Sequence, residues 1–292
     1  MPSIKEVVER IGSVKSTQQI TQAMKLVAVA KLSKVQDQVL AMRPYAAASR
    51  SLLKRVLAQQ TNVASPLMRS PDPSRKGKTL LLVMGSDRGL CGGYNLRVTR
   101  LAQTFLTQSA ETGPVEVWPI GKKILSFFEK QPFPVSEEQA GLAKHPTFER
   151  AACLASNLIE LFVHGHCGQI AIAYNRFKSA AVQVPVLESF LPIDPTSQSG
   201  AEPVEAIDYL YEPSPEELTK QLIPSVLKVQ LYQTLLESAA SEHGARMTTM
   251  SKATENADDL LKNLRLAYNR TRQAVITREI SEIVAGADSL QA

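Results

Sequence analysis

The chain has 292 residues, 44% of them hydrophobic and 21% charged, with a net charge of +5. That composition excludes a disordered or collagen-like protein and leaves room for one large core or two modest ones. Three cysteines at irregular spacing, Cys91, Cys153 and Cys167, form neither a disulfide framework nor a CxxC metal pair, and no apolar run approaches the ~18 residues of a membrane span.

Ser3 to about Gln60 reads as one helix. Ser3 and Glu6 have the spacing of a capping box. Apolar residues recur at helical spacing through Ile4, Val8, Ile11, Ile20, Met24, Val27, Leu32, Val35 and Val39, with Gly12 and Pro44 as the breakers. Such a helix would span roughly 85 Å, a length that points to a coiled coil. Residues 61–78, rich in Pro, Ser and Lys, read as a linker. Residues 79–212 then read as a Rossmann-like α/β domain. Strands are predicted over 79–84, 115–120, 169–174 and 181–191, and helices over 94–109, 122–130 and 147–164. This alternation implies a largely parallel sheet. Residues 192–203 form a second loop. From Ser214 the chain is helical again to about Leu290, starting with Pro215 at the first position and acids in the first turn.

Neither terminal helix can bury its apolar stripe alone, and winding them antiparallel around each other is the simplest solution. The C-terminal helix exceeds its partner by roughly 20 residues, so a tip of about 30 Å carrying Ile276, Ile280, Ile283 and Val284 is expected to protrude and to need an apolar socket in another protein. The N-terminal stretch carries acids early and lacks a signal-peptide core, and the cysteine usage fits a reducing compartment. The expectation is a chain soluble by itself, reaching a membrane only through partners.

Four stretches look chemical. The loop 85–95, GSDRGLCGGYN, follows a strand and holds Ser86, Asp87, Arg88, Gly89, Leu90, Cys91, Gly92 and Gly93. A phosphate loop would need GxxxxGK[ST] and a dinucleotide loop GxGxxG; both patterns are missing, and no histidine lies near Cys91 to act as its base. A strand-to-helix turn or a protein-contact loop is the better account. His164, His166 and Cys167 lack a third or fourth metal ligand at workable spacing. Between Arg10 and Lys34 the only charges are Arg10, Lys15, Lys25, Lys31 and Lys34, a one-signed track suited to an acidic surface where an ordinary solvated face would mix signs. Nucleic acid would call for aromatic interleaving or a binding module, and neither is present. In 268–277, YNRTRQAVIT, Arg272 and Gln273 are forked donors suited to carboxylates and carbonyls, on what is otherwise ordinary exposed helix.

Taken together, these stretches resemble the gamma subunit of F-type ATP synthases. The resemblance rests on residues 11–24 (IGSVKSTQQITQAM), 43–46 (RPYA), 86–95 (SDRGLCGGYN), 174–179 (YNRFKS), 241–247 (SEHGARM), 255–257 (ENA), 268–277 (YNRTRQAVIT) and 282–287 (EIVAGA), in order over almost the whole chain. It implies a non-catalytic central shaft, an antiparallel coiled coil with an α/β domain. The shaft turns inside a ring of alpha and beta subunits and couples proton-driven rotation of the membrane ring of c subunits to the nucleotide states of beta. No cofactor, metal or catalytic residue is implied. By the same resemblance Arg272 and Gln273, with Met24, match the contact to a beta catalytic loop. The glycine loop would lie near beta's acidic region and the epsilon subunit, and the tip would turn in a bearing. The facing of Lys25, Lys31 and Lys34 toward beta is inferred from charge alone. The inserted cysteine pair of the redox-regulated chloroplast form is missing, and with no transit peptide a bacterial chain at the cytoplasmic face of the inner membrane is expected. Two alternatives from other classes stay open: an α/β nucleotide-binding enzyme using the glycine loop, and a free-standing coiled-coil scaffold or nucleic-acid binder using the basic helix.

Overall fold

The computed structural model describes residues 3–58, 65–68, 77–136, 141–193 and 214–291. Most of the expected linker and of the loop at 192–203 lies outside these. The elements run α1 (Ile4–Ala58), β1 (Thr79–Met84), α2 (Tyr94–Thr112), β2 (Val115–Ile120), α3 (Lys122–Phe128), α4 (Phe148–Val163), β3 (Gln169–Phe177), β4 (Gln183–Leu191) and α5 (Pro215–Gln291). The capping box closes α1 reciprocally: Glu6 N–H donates to Ser3 Oγ, and Ser3 N–H donates to Glu6 Oε2. Ser214 Oγ accepts from Glu217 N–H ahead of Pro215, which costs α5 no donor at that position. Both helices continue through their internal prolines, Pro44 and Pro224.

Two compact units result, one of residues 1–28 with 247–292 and the other of residues 29–246. In the larger unit the strand order is β2-β1-β3-β4. β1 pairs parallel with β2 and β3, as the α/β alternation predicts, whereas β4 returns antiparallel to β3 through a hairpin. The expected strand at 169–174 extends to Phe177, which brings it within hairpin distance of β4. Side-chain parity splits the core. Leu80, Leu82 and Met84 face α4, the C-terminal part of α1 and the N-terminal part of α5; Leu81 and Val83 face α2 and α3. Part of the expected linker is structural, because Leu67 in a short 3-10 turn is buried in that first layer and its carbonyl accepts from Ile193 N–H.

In the smaller unit the two helical segments pair antiparallel. Gln18 bonds to Asp258, and Thr254 Oγ1 donates to Thr21 Oγ1 at 2.9 Å. Residues shielded from solvent recur at alternating steps of three and four: Ile4, Val7, Ile11, Val14, Gln18, Thr21, Lys25 and Ala28 on α1, and Met250, Thr254, Ala257, Leu261, Leu264, Tyr268 and Thr271 on α5. This is a heptad seam. Its phase differs from the sequence expectation. Val8, Ile20 and Val27 are 49%, 60% and 56% exposed, while Val7 and Ala28 are buried. The middle of the seam is polar, and several of the largest aliphatic side chains point outward.

Candidate interaction sites

The glycine loop is wired shut. Ser86 N–H donates to Asn95 Oδ1 at 3.0 Å, Asn95 Nδ2 donates to Ser86 Oγ at 2.7 Å, and Ser86 Oγ donates to the Arg88 carbonyl at 2.8 Å. Cys91 is buried against this pair, with Asn95 Nδ2 at 3.4 Å from its sulfur. Asp87 accepts from Lys122 N–H, and the Ser86 carbonyl accepts from Lys123 N–H. These bonds tie the start of the loop to α2 and α3. Gly85 and Gly121 serve packing. A Cβ on Gly85 would lie 2.2 Å from Ile124, and Gly121 has φ +105° with the Gly85 carbonyl oxygen 2.8 Å from where its Cβ would stand. The loop's tip faces solvent: Arg88, Gly92 and Gly93 are exposed, and Leu90 is 59% exposed at φ +62°.

The α5 residues behind the loop were not singled out from the sequence. Arg246 pairs with Glu242 at 2.7 Å and donates to the Arg88 carbonyl at 3.2 Å and the Gly89 carbonyl at 3.4 Å. Burial raises the Glu242 carboxyl pKa against the opposing pull of Arg246. Burial, then Arg246 and Lys31, lowers His243 to about 4, so this imidazole is neutral at neutral pH. The signal available in the sequence was Ser238, Ser241, Glu242 and Arg246 recurring on one face of an alanine-rich helix, the last three inside the quoted 241–247 motif.

The basic track divides. Residues 10, 13, 17, 20, 24, 27, 31 and 34 form one helical stripe, on which Lys31 and Lys34 are exposed and Met24 is half-buried. Lys25 instead occupies a seam position and is half-buried, so it is not part of an outward track. Among the described residues none of these lysines makes an ion pair. Extending the register set by Gln18–Asp258 puts Ile4 level with Arg272 and Met24 level with Lys252. Met24 is therefore about 30 Å along the coil from Arg272, and the structure does not bring the two together. Every residue from Arg272 to Ala285 is exposed, including Gln273, Ile276, Ile280, Ile283 and Val284. The seam stops where α1 begins. His164 Nδ1–H donates to the Glu160 carbonyl, and among the described residues no group of three or more His, Cys, Asp or Glu side chains could hold a metal. Burial pushes the Cys167 thiol up to about 11, away from reactive thiolate. Among the described residues no helix is long and apolar enough to cross a membrane.

Comparison with known proteins agrees over the full length. The family model ATP-synt, described as ATP synthase, matches residues 3–290. The ATP synthase gamma chain of Amoebophilus asiaticus (strain 5a2) is 47% identical over 294 residues, covering 99% of each chain. The ATP synthase gamma chain of Anaeromyxobacter sp. (strain K) is 42% identical over 295 residues, covering all of both. In fold, a chain of the Euglena gracilis mitochondrial ATP synthase, from a cryo-EM structure of OSCP/F1/c-ring in rotational state 3, matches with a TM-score of 0.65 at 20% identity, over 98% of this chain and 94% of that one. With two paired terminal helices and full-length identity of this order, the chain belongs to the ATP synthase gamma chain family.

Proposed function

We propose that the chain is the central shaft of a proton-transporting F-type ATP synthase, a non-catalytic subunit whose rotation sets the nucleotide states of the catalytic beta subunits. The observation that carries this reading is the large aliphatic surface that the paired helices leave exposed. Polar Gln18, Thr21 and Lys25 sit in the middle of the seam, while Ile20, Leu26, Val27 and the stretch beyond Arg272 present aliphatic side chains outward. A coil that faced only water would keep such side chains inside. A ring of alpha and beta subunits would cover that surface, Arg272 and Gln273 would donate to a catalytic loop of beta, and Ile276, Ile280, Ile283 and Val284 would turn in an apolar bearing. Met24 belongs lower on the coil, on the stripe with Lys31 and Lys34, where acidic groups of beta would meet it. The Arg88–Gly93 tip would face beta's acidic region and the epsilon subunit, with the ring of c subunits below. Held by these partners, the chain would be peripheral to the membrane, at the cytoplasmic face of a bacterial inner membrane.

Because each beta subunit meets a different side of an asymmetric coil, each is held in a different state, and turning the coil exchanges them. Reconstitution tests this. Mixed with matching alpha and beta subunits, one copy of the chain should enter the hexamer and raise steady ATP turnover. A chain that stays outside the ring, or that binds ATP alone, overturns the reading.

A further inference from the structure

A shaft must pass torque between its α/β layers and its long helices. Over residues 238–245, α5 meets the α/β layers mainly through small residues, Ser238, Ser241, Gly244 and Ala245. A Cβ on Gly244 would lie 3.2 Å from the Ala180 backbone, so helix and hairpin approach closely there. Small side chains allow close packing, but they present shallow ridges and grooves. Such a surface opposes rotation of a helix about its own axis less than interdigitated large side chains do.

Directional bonds supply what the packing lacks. The Tyr94 hydroxyl lies 2.7 Å from Ser238 Oγ and donates to the Ser238 carbonyl at 3.1 Å. Ser241 Oγ donates to the Asn175 carbonyl at 2.8 Å, and Asn175 Nδ2 donates to the Tyr94 carbonyl at 3.2 Å. These link α5 to α2 and β3 at once. Burial, with Glu242 nearby, raises the Tyr94 hydroxyl, which stays protonated and able to donate. One turn on, Arg246 grips the carbonyls of Arg88 and Gly89 while Glu242 holds its other end. On α1, Arg43 meets Glu237 at 3.4 Å and donates to the Phe177 carbonyl of β3 at 2.8 Å. On the domain side the anchors are the backbone carbonyls of Asn175, Phe177, Arg88 and Gly89, which cannot swing as side chains do, together with the Tyr94 hydroxyl of α2. Bonds of this kind weaken steeply when misaligned.

We propose that these bonds form a polar joint that fixes the azimuth of α5 against the α/β layers, with Tyr94, Ser241 and Arg246 as its positioning residues. The joint rests on the shaft reading above. It predicts slip when the bonds are removed and the packing is kept. The variant combining Tyr94→Phe, Ser241→Ala and Arg246→Lys is assembled into the full synthase in sealed vesicles, and ATP hydrolysis and ATP-driven proton pumping are measured on the same preparation. Hydrogen exchange of the loop amides 86–93 is followed in the full chain.

The expected result is at least a fivefold fall in protons pumped per ATP hydrolysed, together with at least tenfold faster exchange in the loop. Arg246→Lys alone should give a smaller change of both in the same direction, and it decides the matter by the same two readouts if the triple variant does not assemble. Unchanged pumping per ATP alongside faster loop exchange overturns the joint. So does a proportional fall of hydrolysis and pumping, which is the mark of an assembly defect. If the unsubstituted chain supports no pumping at all, it is the shaft reading that fails.

Discussion

Leu260 and Leu261 are adjacent, chemically identical and placed on opposite sides of the seam, which makes them a direct test of its phase. Leu261 is 5% exposed and Leu260 is 42% exposed. Truncation to alanine removes three carbons from each. At about 0.8 kcal/mol per buried CH2 the transfer loss at Leu261 is about 2.4 kcal/mol, before any cavity term. A two-helix seam can close over part of a cavity, so the total should stay near the low end of the Leu→Ala range, about 2–3 kcal/mol. Leu260 is already largely exposed and alanine is the better helix former, so the net cost should be within about 0.5 kcal/mol. Because the chain forms two units, a global melt would blur the difference. The suitable assay is amide hydrogen exchange over residues 250–271. Leu261→Ala should accelerate exchange there about 30-fold, from 2 kcal/mol at 1.4 kcal/mol per decade, and Leu260→Ala by less than about threefold. Equal acceleration by the two, or the reverse order, would refute the heptad phase and with it the outward placement of the aliphatic residues.

Arg272→Ala and Gln273→Ala should leave the chain's unfolding within about 0.5 kcal/mol of the parent, since both side chains are exposed, yet lower gradient-driven ATP synthesis at least about tenfold; unchanged synthesis in normally assembled complex would remove them from the contact with beta. Gly12→Ala should raise the stability of the free chain by up to about 1 kcal/mol in urea unfolding, because its added Cβ meets nothing within 4 Å and alanine is the stronger helix former. For His243, the folded value of about 4 lies below the ordinary 6.5, so the unfolded chain binds the extra proton between them. The contribution of its neutral burial is complete above the ordinary value and is lost as pH falls through that window; Glu242, shifted up, acts in the opposite sense. The difference between the parent and His243→Gln isolates the histidine: from about pH 7 to pH 5 the parent should lose up to about 2 kcal/mol more, and parallel curves would show that His243 does not titrate in that way.

Element type and position were legible because the strands are short apolar runs bounded by glycine and proline, and because the capping residues Ser3, Glu6, Ser214 and Pro215 mark the helix starts. The direction of β4 was not, since nothing in residues 183–191 encodes which way a strand pairs. The seam was misphased for a physical reason. Hydrophobicity marks the buried face of a helix that has only one buried face, but α1 carries aliphatic residues outside and Gln18, Thr21 and Lys25 inside. Val7 and Val8 are the same residue type and both fit the spacing between Ile4 and Ile11, so hydrophobicity could not choose between them. The missing lysine and hydroxyl positions argue against a phosphate loop from the sequence alone, whereas the glycine loop's attachment to α5 depends on Arg246, far away in the chain and visible only once folded. Met24 and Arg272 were grouped together because a motif match carries no register.

The outward aliphatic residues also bear on what happens to a copy made in excess. Ile20, Leu26, Val27, Ile280, Ile283 and Val284 are all more than 40% exposed on long helices. An unassembled copy would display the same kind of surface that chaperones and quality-control proteases read in damaged proteins. Such a chain would survive in the cell in proportion to the rings available to receive it. Its abundance would then be limited by the supply of its partners, whatever the rate of its own synthesis.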